Sequence, residues 1–194
     1  MEAFRSQLQY LIDVKVRGNN VIERLWAEHI PTPFLSLLID DCIKNGKDYH
    51  SGGARYNTSY IQGVGLGTIT DALSAMKFQV FQRKAVSMAD LLEALEADFR
   101  GREKLRLTLL ERTPKFGNDD EFADGVMQEV FEAYFEAVDG RPNTKGGEYR
   151  INLLPTTVHV YFGSMVNASA DGRKAGRPLS EGISPVQGMD RKGP

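Results

Sequence analysis

Apolar side chains recur at helical spacing over the first 29 residues, at Phe4, Leu8, Leu11, Ile12 and Val16, then at Val21, Ile22, Leu25 and Trp26. The pattern predicts a helix interrupted or capped near Gly18-Asn19-Asn20 and ended by Pro31 and Pro33. Phe34–Ile43 reads as another short, buried helix. Six glycines between positions 46 and 67 leave room only for loop and short strands. Helical spacing then resumes, with Thr70 as the expected cap of a helix through Val80. Ser87 and Asp90 resemble a capping box opening Met88–Phe99. Glu103–Glu111 follows, stopped by Pro114. Asp119–Val138 has Phe122, Val126, Met127, Val130, Phe131, Tyr134 and Phe135 on one broad face, with Asn118 or Asp119 as its cap.

The pattern changes from Tyr149 onward. Thr156–Gly163, rich in β-branched and aromatic residues, is the best predicted strand. Residues 164–194 show little periodicity and much Gly, Pro, Ser and Asp, so a long ordered loop or a frayed end is expected. A lone strand leaves its backbone groups unpaired. That deficit predicts a fragment, or strands supplied by other sequence.

Composition narrows the function classes. Apolar residues make up 41% and charged residues 26%, ordinary values for a globular protein. A net charge of −2 gives no bulk electrostatic footprint for nucleic acid. No apolar run is long enough for a bilayer, and Met1 is not followed by an apolar signal core. A cytoplasmic protein contacting neither nucleic acid nor membrane is expected. The single cysteine, Cys42, excludes an internal disulfide framework, and Asp40 and Asp41 beside it would raise its thiol pKa. His29, His50 and His159 are dispersed without metal-ligand spacing, so no metal site is expected, and His159 reads as a satisfied structural histidine. Gly63-Val64-Gly65-Leu66-Gly67-Thr68 lacks the lysine of a phosphate loop and reads as tight backbone packing. Asp171-Gly172-Arg173 fits a turn closed by the Asp side chain, with glycine at positive φ.

Several segments together carry a specific resemblance. They are Pro31–Ser36, Gly52-Gly53-Ala54-Arg55-Tyr56-Asn57, Gln62–Gly65, Thr70–Lys77, Lys115-Phe116-Gly117-Asn118-Asp119-Asp120, Asp171–Gly176 and Pro178–Pro185 with Gly188 and Asp190. In this order they resemble glycyl radical enzymes of the pyruvate formate-lyase family, in the branch of glycerol, hydroxyproline and choline lyases. The resemblance implies an α/β fold, a ten-stranded barrel wrapped by helices, of which residues 1–194 are an interior and mainly helical segment. It also implies an anaerobic, cytoplasmic enzyme that cleaves a C–O or C–N bond in a small polar substrate. A protein glycyl radical would be installed by an S-adenosylmethionine-dependent activating enzyme, and the full-length protein would be a homodimer. The family's Gly-Cys-Val-Glu motif and its Arg-Val-x-Gly-Tyr radical loop are both absent. No catalytic residue is therefore assigned, and the chain is expected to be inactive alone. Ala170 stands where the family usually has proline before Asp-Gly-Arg, which would loosen that turn. Leu154, Thr156 and Val158, taken as one face of a strand, are the expected substrate-lining residues, with Asn57 and Gln62 as a second group. Two other readings stay open. One is a segment of formate C-acetyltransferase itself; the other is a non-catalytic subunit that pairs with a separately encoded partner.

Overall fold

The computed structural model describes residues 1–192; Gly193 and Pro194 lie outside the described residues. The chain divides into two compact units, Met1–Ile61 with Glu132–Asn152, and Gln62–Phe131 with Leu153 onward.

In the first unit, α1 runs unbroken from Glu2 to His29, so the expected interruption near Gly18 does not occur. One glycine costs a helix only about 1 kcal/mol, and the neighbouring asparagine is used by tertiary structure. Asn20 Oδ1 accepts the Tyr149 hydroxyl at 2.9 Å. The expected single buried helix over Phe34–Ile43 is instead two short helices, α2 (Pro33–Leu37) and α3 (Asp40–Asn45). Phe34, Leu37, Leu38 and Ile43 are exposed, while Cys42 is buried. Five- and six-residue helices cannot form a continuous apolar stripe, so their burial follows from what packs on them and not from periodicity. Strand β1 (Ser59–Gln62) pairs with β2 (Tyr149–Asn152) in a two-stranded parallel sheet. The Tyr134 hydroxyl donates to the Ile61 carbonyl at 2.6 Å, tying β1 to the helix behind it.

The second unit is built on α4 (Leu66–Ala75), which continues as a π-helical turn over Met76–Gln82. Thr70 lies inside α4 and is not its cap. Gly65 is the N-cap, in the left-handed conformation with φ 86°, a geometry that glycine adopts without strain. Helix α5 (Met88–Glu96) opens as expected, the Ser87 hydroxyl accepting the Asp90 N–H at 3.0 Å. It stops three residues early because Asp98 and Phe99 take positive φ. Helix α6 spans Glu103–Glu111. Ala72, Ala75, Leu91, Ala94, Phe99, Leu109 and Ala170 form one buried cluster. Helix α7 spans Glu121–Val138, capped by neither Asn118 nor Asp119. Asp120 Oδ1 accepts the N–H groups of Phe122 (3.1 Å) and Ala123 (3.2 Å).

The predicted strand Thr156–Gly163 is helical instead, as α8 (Val158–Met165). His159 and Gly163, four residues apart, are its buried positions, which is the period of a helix and not of a strand. A Cβ on Gly163 would lie 2.4 Å from the Arg177 carbonyl oxygen. Close packing there overrides the weak β-preference of a short Val/Tyr/Phe run. After α8 the described residues form neither helix nor strand, as the lack of periodicity predicts.

Candidate functional site

The helical α8 removes the alternation on which the expected substrate face was argued. Leu154 is exposed, Thr156 is half-buried, and Val158 is the first residue of the helix. Gln62 does meet this segment, its amide donating to the carbonyls of Leu154 (2.8 Å) and Gly63 (2.9 Å). Asn57 belongs to the first unit, where its amide donates to Ala54 and Gly52 and its carbonyl accepts from Asn143. Both amides are thus occupied by backbone carbonyls. Thr156 differs: its hydroxyl oxygen is buried and has no hydrogen-bond partner. One residue of the same turn, His159, is fixed beside it. His159 Nδ1 lies 2.6 Å from the Thr156 carbonyl, and Nε2 lies 3.6 Å from Glu181. The Nδ1 contact requires the ring proton on that nitrogen, which donates to the carbonyl.

Sequence reasoning missed a second constellation. Asp71, Lys115 and Asp171 come from three of the segments that carry the family resemblance, and they meet in the interior of the second unit. Lys115 Nζ donates to the Asp171 carbonyl at 3.1 Å and lies 3.9 Å from Asp71 Oδ2. Asp71 Oδ1 accepts the Phe116 N–H at 2.9 Å, while Oδ2 is buried without a partner. Burial pushes the Asp71 carboxyl up to about 6 against the opposing pull of Lys115, and burial lowers the Lys115 ammonium. Asp171 closes the expected turn, its Oδ1 accepting from the Ser169 hydroxyl (2.5 Å) and the Arg173 N–H (3.4 Å). Gly172 has φ 94°. Ala170, in the position of the family's proline, is buried in the core cluster.

The remaining segments serve the same coil. Asn118 donates to the carbonyls of Lys115 and Met189 and accepts the Lys192 N–H. Thr68 and Ser180 exchange hydrogen bonds, each hydroxyl accepting the other residue's N–H (2.8 and 3.0 Å). Leu66 N–H goes to the Gly182 carbonyl. The Leu66 and Thr68 amides at the start of α4, which an anion would need, are therefore taken by protein oxygens, and the glycine-rich entry is close packing. A Cβ on Gly67 would stand 2.5 Å from the Ser184 carbonyl oxygen. Among the described residues no three His, Cys, Asp or Glu side chains gather where they could hold a metal ion. No helix there is long and apolar enough to cross a membrane.

The motif network coincides with a family match: residues 1–163 fit the pyruvate formate lyase-like model. The chain belongs to this family of glycyl radical enzymes. Trans-4-hydroxy-L-proline dehydratase of Clostridioides difficile is 55% identical over 193 residues, covering 100% of this chain and 24% of that protein. The crystal structure of the hydroxyproline dehydratase of that organism, with trans-4-hydroxy-L-proline bound, superposes with a TM-score of 0.94 at 56% identity, over 97% of this chain and 24% of the other. The glycerol-bound B12-independent glycerol dehydratase of Clostridium butyricum also gives 0.94, at 39% identity, over 100% of this chain and 24% of that one. The fold is thus the matching part of a glycyl radical enzyme barrel, and the chain spans about a quarter of the length of these relatives.

Cys42 is buried, and burial together with Asp48 and Asp41 pushes its thiol up. It is followed by Ile43-Lys44 and not by the Val-Glu of the family's Gly-Cys-Val-Glu motif. No reaction step is assigned to it.

Proposed function

We propose that these residues are an interior segment of a glycyl radical dehydratase or lyase, cleaving a C–O or C–N bond in a small polar substrate. Trans-4-hydroxy-L-proline is the first substrate to test. The 55% identity to the hydroxyproline dehydratase over 193 residues carries this reading. The exposed apolar side of α8, with Val160, Tyr161, Phe162 and Met165, supports burial against further polypeptide. Thr156, alone among the predicted lining residues in having an unpartnered buried hydroxyl, is the group proposed to meet a polar substrate atom. The glycyl radical and the thiyl cysteine belong to parts of the barrel outside this sequence. A separate S-adenosylmethionine-dependent activase would generate the radical in a cytoplasmic homodimer.

The test is a chimera in which these residues replace the matching quarter of the C. difficile dehydratase. After anaerobic activation it is expected to dehydrate trans-4-hydroxy-L-proline, while the isolated chain turns over nothing. Formate release from pyruvate and coenzyme A would favour the acyltransferase instead. An activated, correctly folded chimera that processes neither substrate would overturn the dehydratase reading.

A further inference from the structure

A cavity of about 560 Å³ in the second unit is lined by four cationic side chains, Arg106, Arg173, Lys174 and Arg177, against one carboxylate, Asp171. Of these, Arg173 is only 8% exposed. All the hydrogen bonds of its guanidinium end on neutral oxygens: the Ser169 hydroxyl and the carbonyls of Asn167, Lys174 and Arg177. The Asp171 carboxylate already accepts from Ser169 and from the Arg173 backbone. At the rim, Glu103 pairs with Arg106 at 2.6 Å and lies 3.9 Å from Lys174. Arg177 has no carboxylate within ion-pair distance among the described residues. Asp98 and Glu111 act on Arg173 and Arg106, and Glu181 lies 3.6 Å from His159. None of the three lines the cavity, whose own side chains keep a net positive charge that favours an anionic occupant. Leu110, Pro178, Val186 and Met189 also line the cavity, so its wall combines cationic and apolar groups.

We propose that this cavity docks an acidic segment of polypeptide, with carboxylates set between apolar side chains. A lining of four cationic and four apolar side chains suits such a segment better than one compact anion. The proposal rests on reading the chain as part of a longer barrel. In relatives four times as long, the matching stretch lies among residues that this sequence lacks.

The probe is an N-acetylated, C-amidated peptide of alternating Glu and Leu, titrated into the ¹⁵N-labelled chain. A Gln/Leu peptide and inorganic phosphate serve as comparisons. The Glu/Leu peptide is expected to shift amides near residues 172–178 and 186–189 saturably, and to weaken as salt is raised. The double variant Lys174→Gln/Arg177→Gln removes exposed charges and should lower affinity about fivefold to tenfold without unfolding the chain. Equal binding of the Gln/Leu peptide, or undiminished binding by the variant, would overturn the proposal. Phosphate producing the same shifts and displacing the peptide would reassign the cavity to small anions. The readout is binding by the chain itself, so it fails or succeeds independently of turnover by the chimera.

Discussion

Asp71 and Lys115 face each other at 3.9 Å, 1% and 8% exposed, from two segments 44 positions apart in sequence. Neither charge is fully compensated, since Asp71 Oδ2 has no hydrogen-bond partner. A buried pair of this kind contributes little net stability, yet removal of one member leaves the other stranded. Its clearer role is to fix where Asp171, and with it the Asp-Gly-Arg turn, meets α4.

That geometry sets a pH dependence. The folded Asp71 value near 6 stands above the ordinary 3.8, so the folded state holds this proton more tightly than the unfolded chain. This group's contribution therefore favours folding increasingly as pH falls through about 6 toward about 4, and disfavours it above. The full effect is at most about 3 kcal/mol. Asp71→Asn keeps an oxygen for the Phe116 N–H and loses the titration. In denaturant unfolding, the parent should gain on Asp71→Asn as pH drops across that window. A constant difference between the two would refute the assignment. Lys115→Met should cost about 3 kcal/mol at neutral pH, and less in acid, where Asp71 is neutral.

Two glycines that both lie within helices should respond oppositely to alanine. Gly18 lies within α1 with nothing within 4 Å of an added Cβ, whereas a Cβ on Gly67 meets the Ser184 carbonyl at 2.5 Å and the Ser180 hydroxyl at 3.0 Å. Gly18→Ala should raise stability by about 0.5–1 kcal/mol. Gly67→Ala should lower it by about 1–3 kcal/mol and speed hydrogen exchange in residues 179–188. Equal effects at both sites would mean that the coil does not press on α4.

What was legible in the sequence follows from which signals are local. The α6 boundaries, the Ser87–Asp90 cap and the Asp171 turn depend on neighbours a few residues away, and all appear where expected. The end of α1 also follows directly from Pro31 and Pro33. The helical state of residues 158–165 was not legible, because it depends on Gly163 fitting under the Arg177 carbonyl. The convergence of Asp71, Lys115 and Asp171 was equally hidden, since each residue alone has an ordinary local explanation. Only their presence in segments shared with one family marked them. For the substrate face, a periodicity argument could not survive the change from strand to helix, and what remains is the unpartnered Thr156 hydroxyl.

The cap of α7 illustrates the same division and can be tested directly. Asn118 has the right residue type but binds three backbone groups of the coil and its own turn, leaving Asp120 to accept the α7 amides. Asp120→Ala should cost about 1 kcal/mol in thermal unfolding. Asn118→Ala should cost about 2 kcal/mol and release residues 189–192 to faster exchange. Asp119, at φ 52°, should accept glycine with no loss. A larger loss at Asp119 than at Asp120 would return the cap to the position read from sequence.

Thr156 separates a packing role from a substrate role. Its hydroxyl is buried without a partner, so replacing it with a methyl group of similar volume removes an unmet desolvation cost. Thr156→Val is therefore expected to leave the isolated chain as stable as the parent, or to stabilise it by up to about 1 kcal/mol. In the dehydratase chimera the same change would delete the proposed hydrogen bond to substrate, and kcat/KM should fall about tenfold. Thr156→Ser restores the hydroxyl and should recover most of that activity, although it leaves a small cavity. Loss of stability with unchanged turnover would make Thr156 a packing residue whose partner lies elsewhere in the barrel. Unchanged stability with a tenfold loss rescued by serine would place its hydroxyl against the substrate.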